Sequence, residues 1–423
     1  MSPLGITLII LLLTIIAFLS GKVPMSIVSM GIILALIIFK ILPVQRAFSG
    51  FININVIMFA GMFVIGAGIT KTSILEKVQH LVVRFKDKPK ELMLISCVVA
   101  AILGLLTSGT SATAILLPLL IGISTSIGLS RSKILYPVAV VTNVAAASTF
   151  LGIGSSNMAW SSIMMKLGAK HPLDLMSFTW ARLPFLIIAI LYMALIAPKF
   201  LPNRDNSTFH DSFQNKDLHT KLSPIKEKIA IVIILATIIL MILSNIIHVP
   251  IYLISTIGAV CLVIFGILSE KEALASINLP TIFLFGGVLA LSDALQVTGA
   301  GDLVAGIITS VVGKGSNPFL VMGIFFAVPF IVTQFMSNLA TVAIFVPLVA
   351  STALKMGFDP RAAVLAVITA ACCSFLTPLA SPPQAMIMEP GGYKLIDYLK
   401  SGWPLALIFI IIGSFWFQII YPL

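Results

Sequence analysis

The feature that most constrains this chain is a series of apolar runs, each about 20 residues long, separated by short polar segments. A run of that length matches the hydrocarbon core of a bilayer, which is roughly 30 Å thick. Only 10% of the residues are charged, whereas a soluble domain carries roughly 25%. The sequence therefore predicts an all-α polytopic membrane protein that has the lipid bilayer as its solvent. The spanning candidates lie near residues 4–20, 25–43, 55–72, 134–168, 183–201, 229–247, 251–268, 280–298, 362–388 and 402–421.

The net charge of +11 would indicate nucleic-acid binding in many soluble proteins. In a chain this apolar, an excess of Lys and Arg is typical of cytoplasmic loops, so we expect no nucleic-acid partner. All four cysteines lie inside apolar segments, and their spacing fits neither a disulfide framework nor a zinc site.

A long polar stretch, residues 202–228, divides the chain into two similar halves. At shifts of about 226 to 229 residues the halves align at several small or conformationally special residues: Ser29 with Ser255, Gly61 with Gly287, Ser108 with Ser337, Pro118 with Pro347 and Gly128 with Gly357. Shared Gly, Pro and Ser carry more weight than shared Ile or Leu, because they set backbone geometry. The sequence predicts a first repeat over residues 1–201, a linker over 202–228 and a second repeat over 229–423.

The number of spans per half predicts that the two repeats are inverted. Each half has five spanning candidates, and an odd number brings the second half into the membrane from the opposite side. The two-armed segments 91–128 and 317–356 return to their starting side and leave this parity unchanged. If the N-terminus is outside, 18 of the 26 Lys and Arg fall on the cytoplasmic side and 8 fall outside. The positive-inside rule then predicts a cytoplasmic linker and both termini outside.

Motifs for catalysis are absent from the sequence. It contains no HExxH, GxSxG or GxxxxGK[ST] pattern, and all five histidines lie in predicted loops or at helix ends. We therefore expect a protein that is not an enzyme, has no organic cofactor and is not driven by ATP bound to its own chain.

Four polar clusters interrupt apolar helices near mid-length: residues 107–111, 152–157, 333–338 and 377–384. Irregular backbone at that depth is tolerated where it lines a cavity or is buried in protein. Breaks at corresponding positions of two repeats indicate the binding site of a secondary transporter, although ordinary kinks between packed helices would explain any one cluster. The clusters contain no charged residue, so an anion would be held by helix N-termini and by Ser, Thr and Asn donors.

The coupling ion is predicted from the same composition. Hydroxyls and carbonyls freed at the breaks suit a small cation such as sodium, whereas proton coupling normally needs an intramembrane carboxylate or His. Asp293, in the span 280–298, is the titratable candidate within a span. A proton site there and a polar contact near the helix end both remain open.

Two stretches of the second half carry a family likeness. One is Met336-Ser337-Asn338-Leu339-Ala340-Thr341 with Pro347, and the other runs from Leu376 to Ala385 and is followed by Glu389-Pro390-Gly391-Gly392. They resemble the motifs of the divalent anion/sodium symporter (DASS) family of the ion transporter superfamily. The resemblance implies two inverted repeats of five spanning helices, each with a re-entrant helical hairpin and a broken helix. It also implies two sodium sites, one anion site between the hairpin tips, a scaffold-plus-elevator motion and a homodimer.

The resemblance also implies which residues bind each ion. One sodium would lie among Ser108, the carbonyl of Gly109 and Gly154. The other would lie among Thr333, the carbonyl of Met336, Asn338 and Ala380. The anion would contact Thr110, Ser155, Asn338, Ser381 and Pro382.

The chain departs from the family pattern at four places. Gly109 stands where the family has Asn, Leu339 where it has Thr, Ser155-Ser156 where it has Pro-Pro, and Gln384 where it has Asn. Gly109 and Leu339 remove two side-chain donors from the substrate side. We therefore expect a smaller anion, or a carboxylate held largely by helix N-termini.

These observations predict a secondary active transporter in a bacterial-type cytoplasmic membrane that couples sodium to the symport of a small anion. The anion would be a di- or tricarboxylate, or an inorganic oxyanion such as sulfate. The alternatives are a passive anion channel and a proton-coupled or arsenite-type exporter of the same superfamily, which would use Asp293.

Overall fold

The structure, a computed structural model, describes residues 2–20, 22–73, 82–85, 88–149, 157–204, 222–277, 279–300, 303, 317–378 and 381–422. Within these ranges the regular structure is entirely helical, with two short 3₁₀ helices at Ser49–Ile52 and Ala197–Lys199. In chain order the α-helices are α1 Pro3–Ser20, α2 Met25–Ile38, α3 Val44–Ala47, α4 Ile54–Thr70, α5 Pro89–Leu106, α6 Gly109–Ile127, α7 Arg131–Ala145, α8 Asn157–Lys166, α9 Ser177–Leu195, α10 Pro224–Ile242, α11 Ser244–Ile247, α12 Ile251–Ile264, α13 Glu270–Ser276, α14 Leu279–Thr298, α15 Pro318–Val332, α16 Asn338–Lys355, α17 Pro360–Cys372, α18 Pro382–Met388 and α19 Leu395–Ile420.

The two halves of the chain contain the same order of helices. α2 and α12 begin 226 residues apart, whereas α6 and α16 begin 229 apart, as do α7 and α17. Special backbone conformations recur at the same offsets. Lys40 and Gly266 both have positive φ after α2 and α12, and Gly128 and Gly357 have φ of 67° and 82° after α6 and α16. The consecutive helices α5 and α6, and α15 and α16, pack together as two helical hairpins. The left-handed conformation at Gly128 and Gly357 ends the second arm of each hairpin, which explains why glycine aligns there.

A first set of helices is built from two matching crossings. α2 packs against α14, and α4 packs against α12. A Cβ atom added to Gly61 would lie 2.9 Å from the carbonyl oxygen of Ser255, and one added to Gly287 would lie 2.7 Å from the Cα atom of Ser29. Small residues allow this close approach of backbones between membrane helices. The aligned Gly and Ser pairs of the two halves are therefore the contact residues of both crossings.

A second set of helices surrounds the breaks. α7 and α17 are the most buried helices, and each pairs with the hairpin arms of its own half. α8 crosses to pack on α16 and α17, while α18 crosses to pack on α6 and α7. Because each short helix reaches into the other half, the space between them is shared by both halves.

The outer helices present apolar side chains to their surroundings. Leu12 on α1, Ile27 on α2, Val232 on α10 and Ile264 on α12 are each more than half exposed. Three described segments have the length and composition to cross a bilayer, namely Ser177–Lys199, Asn338–Lys355 and Leu395–Ile420, and several shorter helices are also apolar. This distribution is typical of a protein whose solvent is lipid.

The two long spanning candidates of the sequence each contain an interruption. Candidate 362–388 consists of α17 and α18, which are separated by nine residues without regular structure or outside the described ranges. Candidate 134–168 consists of α7 and α8, and residues 150–156 between them lie outside the described part of the chain. The helix ends thus fall at two of the predicted polar clusters.

Three helix starts differ from the sequence-based expectation. α10 begins at Pro224 inside the predicted linker, because Ser223 caps it by accepting a hydrogen bond from the N–H of Lys226. α19 begins at Leu395 rather than near 402, and α9 begins at Ser177 rather than near 183. Hydropathy alone misses first turns that contain polar residues. Arg182 is one of the eight basic residues that the sequence places on the outer side of the membrane. In the structure it is buried within α9, so seven basic residues remain on that side.

Polar contacts near the helix ends form two groups. In one group Lys71 Nζ lies 2.6 Å from Glu272 Oε1, and Arg204 Nη1 lies 3.0 Å from Asp397 Oδ2. The hydrogen bond from Lys71 is the largest cause that lowers the pKa of Glu272 to about 2. In the other group the hydroxyl of Ser177 lies 2.7 Å from that of Tyr421. Each pair joins residues that the sequence places on the same side of the membrane.

Candidate functional site

A cavity of about 250 Å³ lies where the two hairpin tips meet the two helix breaks. Its wall is formed by the first turns of α6, α8, α16 and α18 and by the last turns of α7 and α17. The lining residues include Gly109, Thr110, Asn143, Asn157, Asn338, Leu339, Ser381, Pro382 and Pro383.

The second arms of the hairpins begin at this cavity with matching caps. The hydroxyl oxygen of Ser108 accepts a hydrogen bond from the N–H of Ser111 at 3.0 Å, and that of Ser337 accepts one from the N–H of Ala340 at 3.2 Å. The first two N–H groups of each helix have no intrahelical acceptor. Together with the helix dipoles, they place partial positive charge at the cavity wall.

The start of α18 is different. Pro382 and Pro383 have no N–H, and the N–H of Gln384 donates to the carbonyl of Ser381 at 3.1 Å. This helix therefore contributes an apolar ring surface and the hydroxyl of Ser381, which donates to the carbonyl of Ser374 at 3.3 Å. Donors for an anion come mainly from α6 and α16.

A cluster of neutral oxygens lies beside the cavity in the second half. Thr333 is fully buried, and its Oγ1 lies 2.8 Å from the carbonyl oxygen of Ala371 and 3.1 Å from Asn338 Oδ1. One hydroxyl hydrogen can serve only one of these two acceptors. Neutral oxygens gathered in this way are the ligand type that hard cations prefer.

The start of α6, the second arm of the first hairpin, lies close to α7. A Cβ atom added to Gly109 would lie 3.2 Å from the Cα atom of Asn143 and 3.3 Å from the carbonyl oxygen of Thr142. A larger residue at position 109, such as the Asn of the family motif, would have to displace α7. Asn143 itself supplies an amide at this place, and its Nδ2 donates to Ser374 Oγ at 2.9 Å.

A buried glutamine fixes the second break to the second hairpin tip. Gln334 Nε2 donates to the carbonyl of Cys373 at 3.1 Å, and its Oε1 accepts from the N–H groups of Phe375 at 3.0 Å and Leu376 at 2.8 Å. The hydroxyl of Thr377 donates to the carbonyl of Gln334. One side chain thus satisfies backbone groups that the end of α17 leaves unpaired.

The structure brings most of the described candidate residues together. Thr110, Asn338, Ser381, Pro382 and Gly109 line the cavity. Ser108, Thr333 and Met336 are near those residues in the chain but do not line the cavity. Gly154, Ser155 and Ala380 lie outside the described residues.

Asp293 does not line the cavity. Its Oδ2 lies 3.3 Å from Lys166 Nζ and 3.5 Å from Arg46 Nε. The carboxylate is therefore paired with two cations on α8 and α3.

Sequence reasoning gave no individual role to four residues that the structure places at or behind the cavity wall, although Asn157 and Gln334 belong to predicted polar clusters. Asn143 and Asn157 line it, Gln334 supports the break, and Arg182 lies behind α7. Each is a polar residue in a predicted apolar helix or helix break, and that was the one available signal.

The helical bundle and the cavity between its two helix breaks are typical of a multi-pass membrane transporter. The chain belongs to the citrate transporter family, which it matches over residues 15–371. The resemblance to sodium-coupled anion symporters is thereby confirmed at the family level.

Individual relatives match parts of the chain. It is 30% identical to the uncharacterized transporter YfbS of Escherichia coli over 159 residues, which are 37% of this chain and 26% of YfbS. It is 27% identical to the Na(+)/citrate cotransporter of Rattus norvegicus over 121 residues, which are 29% of this chain and 21% of that protein. The matches thus span only about a quarter of the length of these relatives.

A solved structure extends the likeness of fold to the whole chain. MtrF of Neisseria gonorrhoeae, described as one of a class of antimetabolite efflux pumps, superposes with a TM-score of 0.64 at 14% identity. The superposition covers 100% of this chain and 95% of that one.

Proposed function

We propose that this protein is a sodium-coupled symporter of a small carboxylate or oxyanion. The observation that carries the proposal is the pair of capped helix starts at Ser108 and Ser337, which direct unpaired N–H groups toward one cavity. No acidic residue is among the lining residues in the described part of the chain. Such a site attracts negative charge through dipoles and hydrogen bonds without a fixed cation at the wall.

The size of the cavity favours a small solute. Its volume of about 250 Å³ is at the lower limit of ligand pockets, which are roughly 300–1,000 Å³. The citrate transporter family and the sodium-dependent citrate relative support a di- or tricarboxylate over sulfate. The anion would contact Thr110, Ser155, Asn338, Ser381 and Pro382.

Sodium is the proposed coupling ion. The oxygens of Thr333, Asn338 and Ala371 support one cation site next to the anion, with Met336 and Ala380 as its further proposed ligands. Ser108, Gly109 and Gly154 are the proposed ligands of a second sodium. The pairing of Asp293 with Lys166 and Arg46 argues against the proton-coupled alternative, because that carboxylate is away from the cavity and already has partners.

The proposed architecture is two inverted repeats, residues 1–201 and 229–423, with a cytoplasmic linker, both termini outside and a re-entrant hairpin in each repeat. The matching order of helices in the two halves supports this architecture. So does the packing of α8 on helices of the second half and of α18 on helices of the first half. This arrangement would expose one central site alternately to the two sides.

Uptake by the purified full-length protein in proteoliposomes tests the function. Citrate, succinate, sulfate and arsenite are each offered with an inward sodium gradient, with choline in place of sodium, and with an imposed pH gradient. We expect accumulation of a carboxylate only with sodium. Sodium-independent downhill flux would identify a passive channel, and uptake or export that follows the pH gradient would identify proton coupling.

A further inference from the structure

Arg182, on α9, is a buried cation with most of its donors unused. It is 1% exposed, and its Nη2 donates to the carbonyl of Val144 at 3.0 Å. Among the described residues, Nε and Nη1 have no hydrogen-bond partner, and no carboxylate forms an ion pair with this side chain. Buried charges in proteins are normally paired, so an arginine left in this state calls for a compensating negative charge.

Arg182 lies directly behind the wall of the cavity. Val144 follows Asn143 on the last turn of α7, and Asn143, Ala146 and Ala147 all line the cavity. Arg182 also interacts electrostatically with Cys373, the residue after the end of α17. Its charge therefore sits near the ends of both broken helices.

The charge of the surrounding helix ends does not cancel that of Arg182. α6, α8, α16 and α18 begin near the cavity, while α5, α7, α15 and α17 end there. Each start carries about +0.5 and each end about −0.5 of an elementary charge, so these ends together supply no net negative charge that could offset the guanidinium, while the free N–H groups of α6 and α16 remain local donors at the wall. Among the described lining residues of the cavity, no carboxylate offsets the charge of Arg182.

We propose that Arg182 sets the charge selectivity of the transporter, favouring the more highly charged of two anions that have the same shape. This inference rests on the proposed function. Arg182 does not line the cavity, so it acts through α7 as a specificity-determining residue rather than as a ligand. A purely structural arginine would affect all substrates alike.

The experiment compares matched anions in proteoliposomes that contain the full-length protein. Succinate and citrate are each paired with their monoamide, which keeps the shape and removes one negative charge. In Arg182→Gln we expect KM to rise about tenfold for the carboxylate, because a unit charge acting through the protein interior contributes that much. KM for the monoamide should rise less, about threefold for succinate monoamide and about fivefold for citrate monoamide, because the Coulomb energy scales with the charge of the anion. Arg182→Lys, which keeps the charge, should retain the wild-type ratio.

A second variant neutralises the charge without removing the arginine. Cys373→Asp introduces a carboxylate after the end of α17, at a residue that interacts electrostatically with Arg182, and should give the same loss of preference, whereas Cys373→Ser should not. The Cys373→Asp variant provides the test if Arg182→Gln is not recovered as a monodisperse protein. Arg361→Gln is the control, because it removes an arginine that already has a carboxylate partner, Asp359.

Equal changes in KM for carboxylate and monoamide, or no change in either, would overturn the inference while wild-type uptake still supports the proposed function. If the wild type takes up neither these carboxylates and monoamides nor sulfate, the proposed function itself fails.

Discussion

Asn338 is the residue that the two proposed ligand sites share. Its Oδ1 lies 3.1 Å from Thr333 Oγ1 in the oxygen cluster, and the residue also lines the cavity at the start of α16. The amide can offer oxygen to a cation and N–H groups to an anion at the same time. Coupling between the two ions would then pass through a single side chain.

We expect Asn338→Ala to abolish sodium-dependent uptake while the protein remains folded. Alanine removes the amide oxygen and both amide donors from a half-buried position. Asn317→Ala is the matched control, because Asn317 caps α15 at the other end of the same hairpin and accepts a bond from the N–H of Phe319. Near wild-type uptake by Asn338→Ala, with unaltered sodium dependence, would place the site elsewhere.

The carboxylate of Asp293 allows a test of the coupling ion. We expect Asp293→Asn to keep sodium-dependent uptake, because the carboxylate of Asp293 pairs with Lys166 and Arg46 and does not line the cavity. Initial rates are measured against sodium concentration and against an imposed pH gradient. If the variant lost coupling and the wild type followed the pH gradient, the proton-coupled alternative would be correct.

At the scale of elements, Gln334 stabilises the second helix break. Gln334 is 2% exposed and pairs with backbone groups of residues 373, 375 and 376. An interrupted helix inside a membrane is tolerated only if its freed backbone groups find partners. Gln334 therefore connects the hairpin tip and the break as one unit.

Gln334→Leu should destabilise the protein by about 2 kcal/mol or more, since two buried N–H groups would lose their acceptor at roughly 1–3 kcal/mol each. Thermal unfolding in detergent measures this change. Gln418→Leu on α19, where the side chain bonds only to the carbonyl of Ser414, is the control and should change the melting temperature little. Equal melting temperatures for the two variants would contradict the assigned role of Gln334.

The two matching helix crossings give a prediction of their own. Gly61→Ala and Gly287→Ala should each destabilise the protein by about 1–3 kcal/mol, because the added methyl would meet backbone atoms at 2.9 Å and 2.7 Å. Gly122→Ala has no atom within 4 Å of the new Cβ and should be neutral or slightly stabilising. Comparable losses in all three variants would show that helix flexibility, and not close packing, explains the result.

On the scale of the whole molecule, the order of helices and the pairing of their ends support an inverted repeat. We expect the linker and the N-terminus to lie on opposite sides of the membrane. In a cysteine-free background, Ser207→Cys should react with a membrane-impermeant reagent from the cytoplasmic side and Ser2→Cys from the outside. Labelling of both from one side would refute the proposed topology.

The sequence by itself determined the class of fold and predicted the helix breaks beside which the cavity lies. Apolar run lengths require helices in a bilayer, and aligned Gly, Ser and Pro residues mark the crossings, the hairpin ends and the cavity. These signals are local, because each depends on a residue and its near neighbours in the chain.

Only the tertiary structure decided which polar side chains matter around that site. Arg182 was expected in an outer loop, and Asn143 and Gln334 were not assigned a role. Whether such a residue faces water, a cavity or an unpaired carbonyl depends on helices that are distant in the chain, so periodicity and hydropathy could not specify it. The burial of Arg182 behind α7 follows from the packing of α9 on α7 and α17.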